Sequence, residues 1–336
     1  MLGRLLSITV LCSIAASSWG QTTAPQATSA TDAGNPNPAV VTKVPSGVIL
    51  VKGARPSASD SVTPLPEDGT VAGNVLSDPY FGMTYSLLPD WTQRYTGPPP
   101  SDTGRYVLAL ISPADTYKGA TRASELITAD DLFFTPFAAT NALEFVDYTK
   151  DHLHANYKVE RPPEQIKIGG RPFTFFAYSL PQVDLHWYVL ATEIRCHAVQ
   201  IVLNGDDPKL LNVLMQDLDK MKLPADDSSV GGQAVPVCIK DYASGDNVLT
   251  RVDPVLTERR FNSIPVRIII DKEGNVRHIH FLSAFPDQAK AITGALQQWK
   301  FRPYLRDGKP VEVETGILFG TNPHSETPMV SVSSVK

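Results

Sequence analysis

Two apolar runs separated by five polar residues constrain this chain more than any other feature. Ile264 to Ile270 and Val276 to Leu282 flank Asp271-Lys272-Glu273-Gly274-Asn275. The first run is dominated by β-branched residues, which favour a pleated strand. Gly274 can take a left-handed conformation, so the two runs read as a hairpin. Pro286 opens a helix and Pro303 closes it. Ala289, Ile292, Leu296 and Trp299 fall on one face of that helix. Asp307-Gly308 marks a turn, after which Val311, Val313, Thr315, Ile317 and Phe319 alternate as a half-buried strand. Three antiparallel strands with one packed helix are the economical arrangement for 236–321.

A chain of 336 residues has room for a second domain and tails. Residues 76–224 begin with alternating bulk at Tyr80, Phe81, Met83, Tyr85 and Leu87, then turn at Leu88-Pro89-Asp90-Trp91. Arg105 to Ile111 reads as a strand, and Ala123 to Phe134 and Ala139 to Tyr157 read as helices. Gly169-Gly170 lies between Glu164 to Ile168 and Arg171 to Ser179, a hairpin signal. Leu185 to Arg195 and His197 to Leu203 supply two more strands. Asp207 and Pro208 start a helix whose apolar face carries Leu210, Leu211, Leu214, Leu218 and Met221. The fold class is therefore α+β: an N-terminal antiparallel sheet/helix sandwich and a C-terminal three-stranded sheet with one helix.

The remaining segments read as address and connection. Met1 to Gly20 runs from a basic residue through apolar Leu5 to Ala16 to the small residues Ser18 and Gly20. That is the order of a secretory signal cut after Gly20, with periplasmic delivery. The alternative is an uncleaved anchor, although the apolar stretch is shorter than the ~20 residues a spanning helix needs. Residues 21–75 hold seven prolines and no aromatic residue, the composition of a flexible tether. Within it, Val48 to Val51 is a short apolar run able to pair as a strand. Residues 225–235 read as a linker and 322–336 as a flexible tail. Removing the signal leaves Cys196 and Cys238, which either form a disulfide or remain two buried thiols.

Two family resemblances follow. Val266 to Val276, Ala295-Leu296-Gln297-Gln298-Trp299-Lys300-Phe301-Arg302-Pro303 and Asp307-Gly308-Lys309-Pro310-Val311 through Phe319 resemble, in order and spacing, the TonB C-terminal domain family. Asp253-Pro254 stands where that family usually has Tyr-Pro. The resemblance implies a periplasmic domain that binds an envelope protein or an extended peptide, such as a segment of an outer-membrane transporter. Pairing would use a sheet edge, a form of β-augmentation. By that analogy, Val311, Val313, Thr315, Ile317 and Phe319 form the pairing edge. Residues 76–224 resemble the PsbP-like exported domains in their strand and helix order, which implies an accessory or binding module. An anchored TonB-type energy transducer, or an enzyme or ligand-binding activity in residues 76–224, are the alternatives.

Other chemistry finds little support. A net charge of −5 argues against a general nucleic-acid binder. No GxSxG, Walker motif or GxGxxG occurs, so no nucleotide cofactor is expected. His278 and His280 share a strand face; a solvated polar face explains them more simply than a metal seat. His152 and His154 point about 200° apart on a helix. Asp130-Asp131 and Asp206-Asp207 read as helix caps rather than acid pairs. Trp299 and Phe301 read as core anchors. Lys300, Arg302, Arg306 and Lys309 form a basic cluster, but residues 236–323 carry 12 basic and 10 acidic side chains, too even a balance to imply a polyanion partner.

Overall fold

The computed structural model describes residues 48–50, 63–94, 104–114, 122–134, 141–224, 229–230, 233–256, 263–321 and 328–331. The expected signal at 1–20 and most of the expected tether lie outside the described residues. The first strand is Val48–Leu50 (β1). A 3-10 turn at Pro66–Asp68 leads into Thr70–Ala72 (β2), Val75–Asp78 (β3) and Met83–Ser86 (β4), a small antiparallel sheet. Composition places 63–75 in the tether. The structure instead orders it, because Val71 packs against the same apolar cluster that buries Leu76.

Seven strands then build one antiparallel sheet. They are Trp91–Gln93 (β5), Arg105–Pro113 (β6), Ala123–Asp131 (β7), Lys158–Ile168 (β8), Arg171–Leu180 (β9), Leu185–Ile194 (β10) and His197–Gly205 (β11). The order across the sheet is β5-β6-β7-β11-β10-β9-β8. Two helices pack on it: Ala142–Asp151 (α1) and Pro208–Leu218 (α2). The Gly169-Gly170 turn forms as expected, with φ of +55° and +85°. A Cβ on Gly169 would lie 2.4 Å from the Met221 carbonyl oxygen, so the site admits only glycine. Asp207 caps α2 by accepting from the Lys209 amide, and Leu211, Leu214 and Leu218 are buried against the sheet.

Residues 123–131 correct the sequence reading: Ala123 to Phe134 contains a strand, not a helix. Ala, Glu and Leu favour a helix locally, but β6 and β11 offer ladders on both sides of this segment. Central-strand pairing and burial overrule propensity here. The second expected helix is real but shorter, beginning at its Asn141 cap.

The C-terminal portion starts with Ser229–Val230 (β12), Gln233–Ala234 (β13), Val237–Cys238 (β14) and Val248–Thr250 (β15). Ile264–Ile270 (β16) and Val276–Phe281 (β17) form the expected hairpin, and Pro286–Leu296 (α3) the expected helix. Lys300–Phe301 (β18), Tyr304–Arg306 (β19), Lys309–Val311 (β20), Val313–Thr321 (β21) and Pro328–Ser331 (β22) complete the chain. Ala289, Ile292, Leu296, Trp299 and Phe301 are all buried with Val266, Ile268, Ile317 and Phe319.

This sheet is larger than the expected three strands. Its order is β1-β17-β16-β21-β14, with β22 also on β21. Both faces are covered, so every residue of β16 is buried. Part of the expected flexible tail therefore forms β22. The described residues all belong to one compact unit, Lys43–Lys336. The fold is mixed α+β, mostly antiparallel, with three α-helices among the described residues. None of those helices is long and apolar enough to cross a membrane.

Candidate functional site at the sheet edge and the buried junction

β21 carries four of the five residues assigned to a pairing edge. Val313, Ile317 and Phe319 bury their side chains in the α3 core, and Thr315 is fully buried. Val311 belongs elsewhere: it sits in β20 and pairs with Tyr304 across the β19–β20 hairpin. The expectation of a free edge also needs correction. On its inner side β21 pairs with β16 from Ile264↔Phe319 to Ile270↔Val313. On its outer side β14 pairs in parallel with Val313 and Glu314, and β22 pairs antiparallel with Leu318 to Thr321. Residues 315–317 have no strand on that side among the described residues. The physical reason is the ordinary liability of an edge: unpaired amides and carbonyls attract extended chain, here from this chain itself.

The opposite face of the same sheet meets the end of the seven-stranded sheet. Gly316 makes that approach possible, since a Cβ there would lie 2.7 Å from the Phe133 Cβ. At the centre lies Arg267, 1% exposed. Its Nη1 donates to Asp131 Oδ2 at 2.5 Å and its Nη2 lies 2.9 Å from Glu314 Oε1. Nη2 also donates to the Tyr80 hydroxyl at 3.1 Å, and the guanidinium stands 4.7 Å from the Phe133 ring centroid. Arg195 adds a second cation, 4.0 Å above the Tyr80 ring and 3.8 Å from Glu314 Oε2. Two arginines thus face two carboxylates in a buried cluster.

The protonation states follow from burial and neighbours. Burial opposes the charge on Arg267, but Asp131 and Glu314 hold its pKa well above the usual range. Burial also pushes the Glu314 carboxyl up; Arg267 and Arg195 outweigh it and leave it below the ordinary value. For Asp131 burial wins, raising its pKa against the pull of Arg267. His197 is fully buried, and burial followed by Arg267 drives its pKa well below 6.5, so it is neutral. Its Nδ1 donates to the Arg195 carbonyl at 2.7 Å, which leaves Nε2 as a lone pair. Burial raises Asp78 to about 7 while its Oδ1 accepts from the Tyr80 and Phe81 amides.

The other residues weighed from sequence resolve as follows. His278 and His280 are buried rather than solvated, at 3% and 2% exposure, because the junction covers their face. His280 Nε2 lies 3.4 Å from Glu67 Oε1. Asp131 does not cap a helix; it caps a turn by accepting from the Phe133 amide and binds Arg267. Asp207 is a helix cap, and Asp206 instead pairs with Arg122 at 2.9 Å. No group of three or more His, Cys, Asp or Glu among the described residues is arranged to hold a metal ion. Cys196 and Cys238 form a disulfide, with Cα atoms 5.6 Å apart, and it joins the β10–β11 turn to β14.

Sequence reasoning missed Arg267, Glu314, Asp131, Arg195 and Tyr80. One signal was available: Arg267 is the single charged residue in the run Ile264 to Ile270. A cation inside a strand buried on both faces needs a buried partner. No family model matches the chain, and no curated protein matches it.

Proposed function

We propose that this is an exported, non-enzymatic cell-envelope protein whose C-terminal, TonB-like sheet binds an extended segment of a periplasmic or outer-membrane partner by edge pairing. The residues 76–224, PsbP-like in pattern, act as an accessory module fastened to that sheet. The observation that carries the reading is the make-up of the sheet's margins. β1, β14 and β22 have three, two and four residues; β1 and β14 come from segments remote from the strands they join, and β22 folds back from just beyond β21. These are intramolecular examples of strand addition on a sheet with two receptive edges. The signal-like first twenty residues and the Cys196–Cys238 disulfide fit an oxidising compartment outside the cytoplasm.

The test is site-specific photo-cross-linking in cells with the probe at Glu312 or Leu318, half-buried residues at the two ends of the outer side of β21, together with N-terminal sequencing of the mature chain. A cross-link to an envelope protein and a mature end at Gln21 are expected. A probe that labels no envelope protein at either position removes the edge-pairing reading. An intact Met1 in the inner-membrane fraction would instead support an anchored, transducer-like protein.

A further inference from the structure

We propose that the Cys196–Cys238 disulfide is a redox latch on the outer edge of β21. While it is closed, residues 236–240 block that edge; reduction by a dithiol releases them and opens the edge to a partner strand. The inference rests on the edge-pairing reading above and adds its control.

The two ends of the latch are held very unequally. Cys196 lies in the two-residue turn between β10 and β11, where Arg195 and Cys196 both have positive φ, +48° and +61°. The junction fixes that turn. The Leu132 amide donates to the Cys196 carbonyl at 2.9 Å, and His197 Nδ1 donates to the Arg195 carbonyl. Arg195 Nη1 donates to the Tyr80 carbonyl at 3.3 Å. Cys196 itself is 2% exposed.

Cys238 belongs to a strand of two residues, a length with little stability of its own. The Val237 amide donates to the Glu312 carbonyl at 2.8 Å and the Ile239 amide to the Glu314 carbonyl at 3.1 Å. The Thr315 hydroxyl donates to the Lys240 carbonyl at 3.0 Å, and the Pro236 ring is buried. Just beyond, Tyr242 is anchored in the α3 core, which sets the end of the releasable segment. Opening the bond therefore frees the β14 side and leaves the turn in place. The edge uncovered is Glu312 to Thr315, continuous with the stretch 315–317 that already has no strand on that side among the described residues.

The exchange balances with a dithiol reductant. A thiolate of the dithiol attacks the Sγ of Cys238, the less buried of the two residues, and Cys196 leaves as a thiolate that takes up a proton. The second thiol of the reductant then attacks the mixed disulfide and releases Cys238. The protein gains two electrons and two protons, and the dithiol becomes a disulfide.

The experiment uses the full mature chain, oxidised, reduced with dithiothreitol, and as the Cys238→Ser variant. Amide hydrogen exchange is followed at 236–240 and 312–317. Binding is followed with a fluorescent peptide copying residues 235–241 with serine at the cysteine position. Losing a cross-link that spans 42 residues should speed exchange at Val237 and Ile239 by on the order of a hundredfold or more. The seven-stranded sheet should stay protected, and the peptide should bind only the reduced and Cys238→Ser forms. Opening without peptide capture would support the latch and refute the edge-pairing reading. Unchanged protection at 236–240, or loss of protection throughout the chain, would overturn the latch and leave edge pairing to the cross-linking test.

Discussion

Replacing Arg267 by methionine tests whether the junction is held by charge pairing. The side chain is 1% exposed, and methionine approximates its volume without its five donors. The substitution leaves Asp131 with the Phe133 amide and Glu314 with the Tyr80 hydroxyl and the more distant Arg195. Removing one partner from a buried ion pair costs roughly 3–5 kcal/mol, because the other charge stays buried without compensation. At about 2.1 cal/mol/K of unfolding entropy per residue, that is a fall in Tm of roughly 4–7 °C for a chain of 336 residues. Urea titration followed by tryptophan fluorescence measures the loss directly, provided the slope is unchanged. The pH dependence has a definite sign. In the parent protein Glu314 titrates below its ordinary value, so it contributes stability above the unfolded pKa and loses it as pH falls through the folded one. Without Arg267 both carboxyls titrate upward, so the variant gains stability as the medium acidifies. The deficit is therefore largest near neutrality and shrinks toward about pH 4. Adding Asp131→Asn and Glu314→Gln to the variant should restore most of the loss. A deficit below about 1 kcal/mol, or one that stays flat across this range, refutes the reasoning.

A second titration sits in the other core. The Tyr85 hydroxyl lies 3.3 Å from Glu125 Oε2 and 3.2 Å from Asp217 Oδ2. One hydroxyl proton cannot serve both carboxylates at once, and Asp217 also has Lys220 Nζ 2.5 Å from its Oδ1. Burial raises Glu125 to about 8, and Asp217 adds to the rise. A raised acid makes the folded state the better proton binder, so stability declines by about 1.4 kcal/mol per pH unit between the unfolded value and about 8. Asp78 adds the same sign up to about 7. Thermal melts of Glu125→Gln should show a flatter decline from about pH 5 to 8; a profile as steep as the parent's would contradict the assignment. Gly316→Val places a side chain where Phe133 already stands, 2.7 Å from a Cβ. The expected loss is about 1–3 kcal/mol from overpacking, and a melt within 1 °C of the parent's would show that the two sheets do not meet as closely as this.

The legible parts of the fold are those with local causes. Gly169-Gly170 and Gly274 fix hairpins within a few residues, Asp207 fixes a helix start, and the Ala289-to-Trp299 stripe fixes a buried face. The junction has no such signature. Arg267 is 136 residues from Asp131 and 187 from Tyr80, and Tyr80 is 234 from Glu314. Only tertiary folding brings them together. β7 misled for a related reason: its Glu125 and Asp131 resemble the exposed charges of a helix, yet both are buried on partners supplied by other segments. β1, β14 and β22 are too short to carry a period, and their pairing depends on which edges the longer strands leave open.

That same topology limits how a partner can engage the C-terminal sheet. α3 and its neighbours cover one face and the junction covers the other, so the backbone is approachable only edgewise. On the outer side of β21, residues 313–314 and 318–321 are already paired, which leaves 315–317. Three residue pairs make a strand too short to hold a partner by backbone hydrogen bonds alone. Any segment long enough to bind on this side must therefore displace β14, β22 or both. The edge pairing proposed above would then be an exchange, its equilibrium set by the difference between the incoming strand and the resident one. A short resident held by few hydrogen bonds would favour that exchange, and under the proposed latch the covalent tether on β14 would set when it can start.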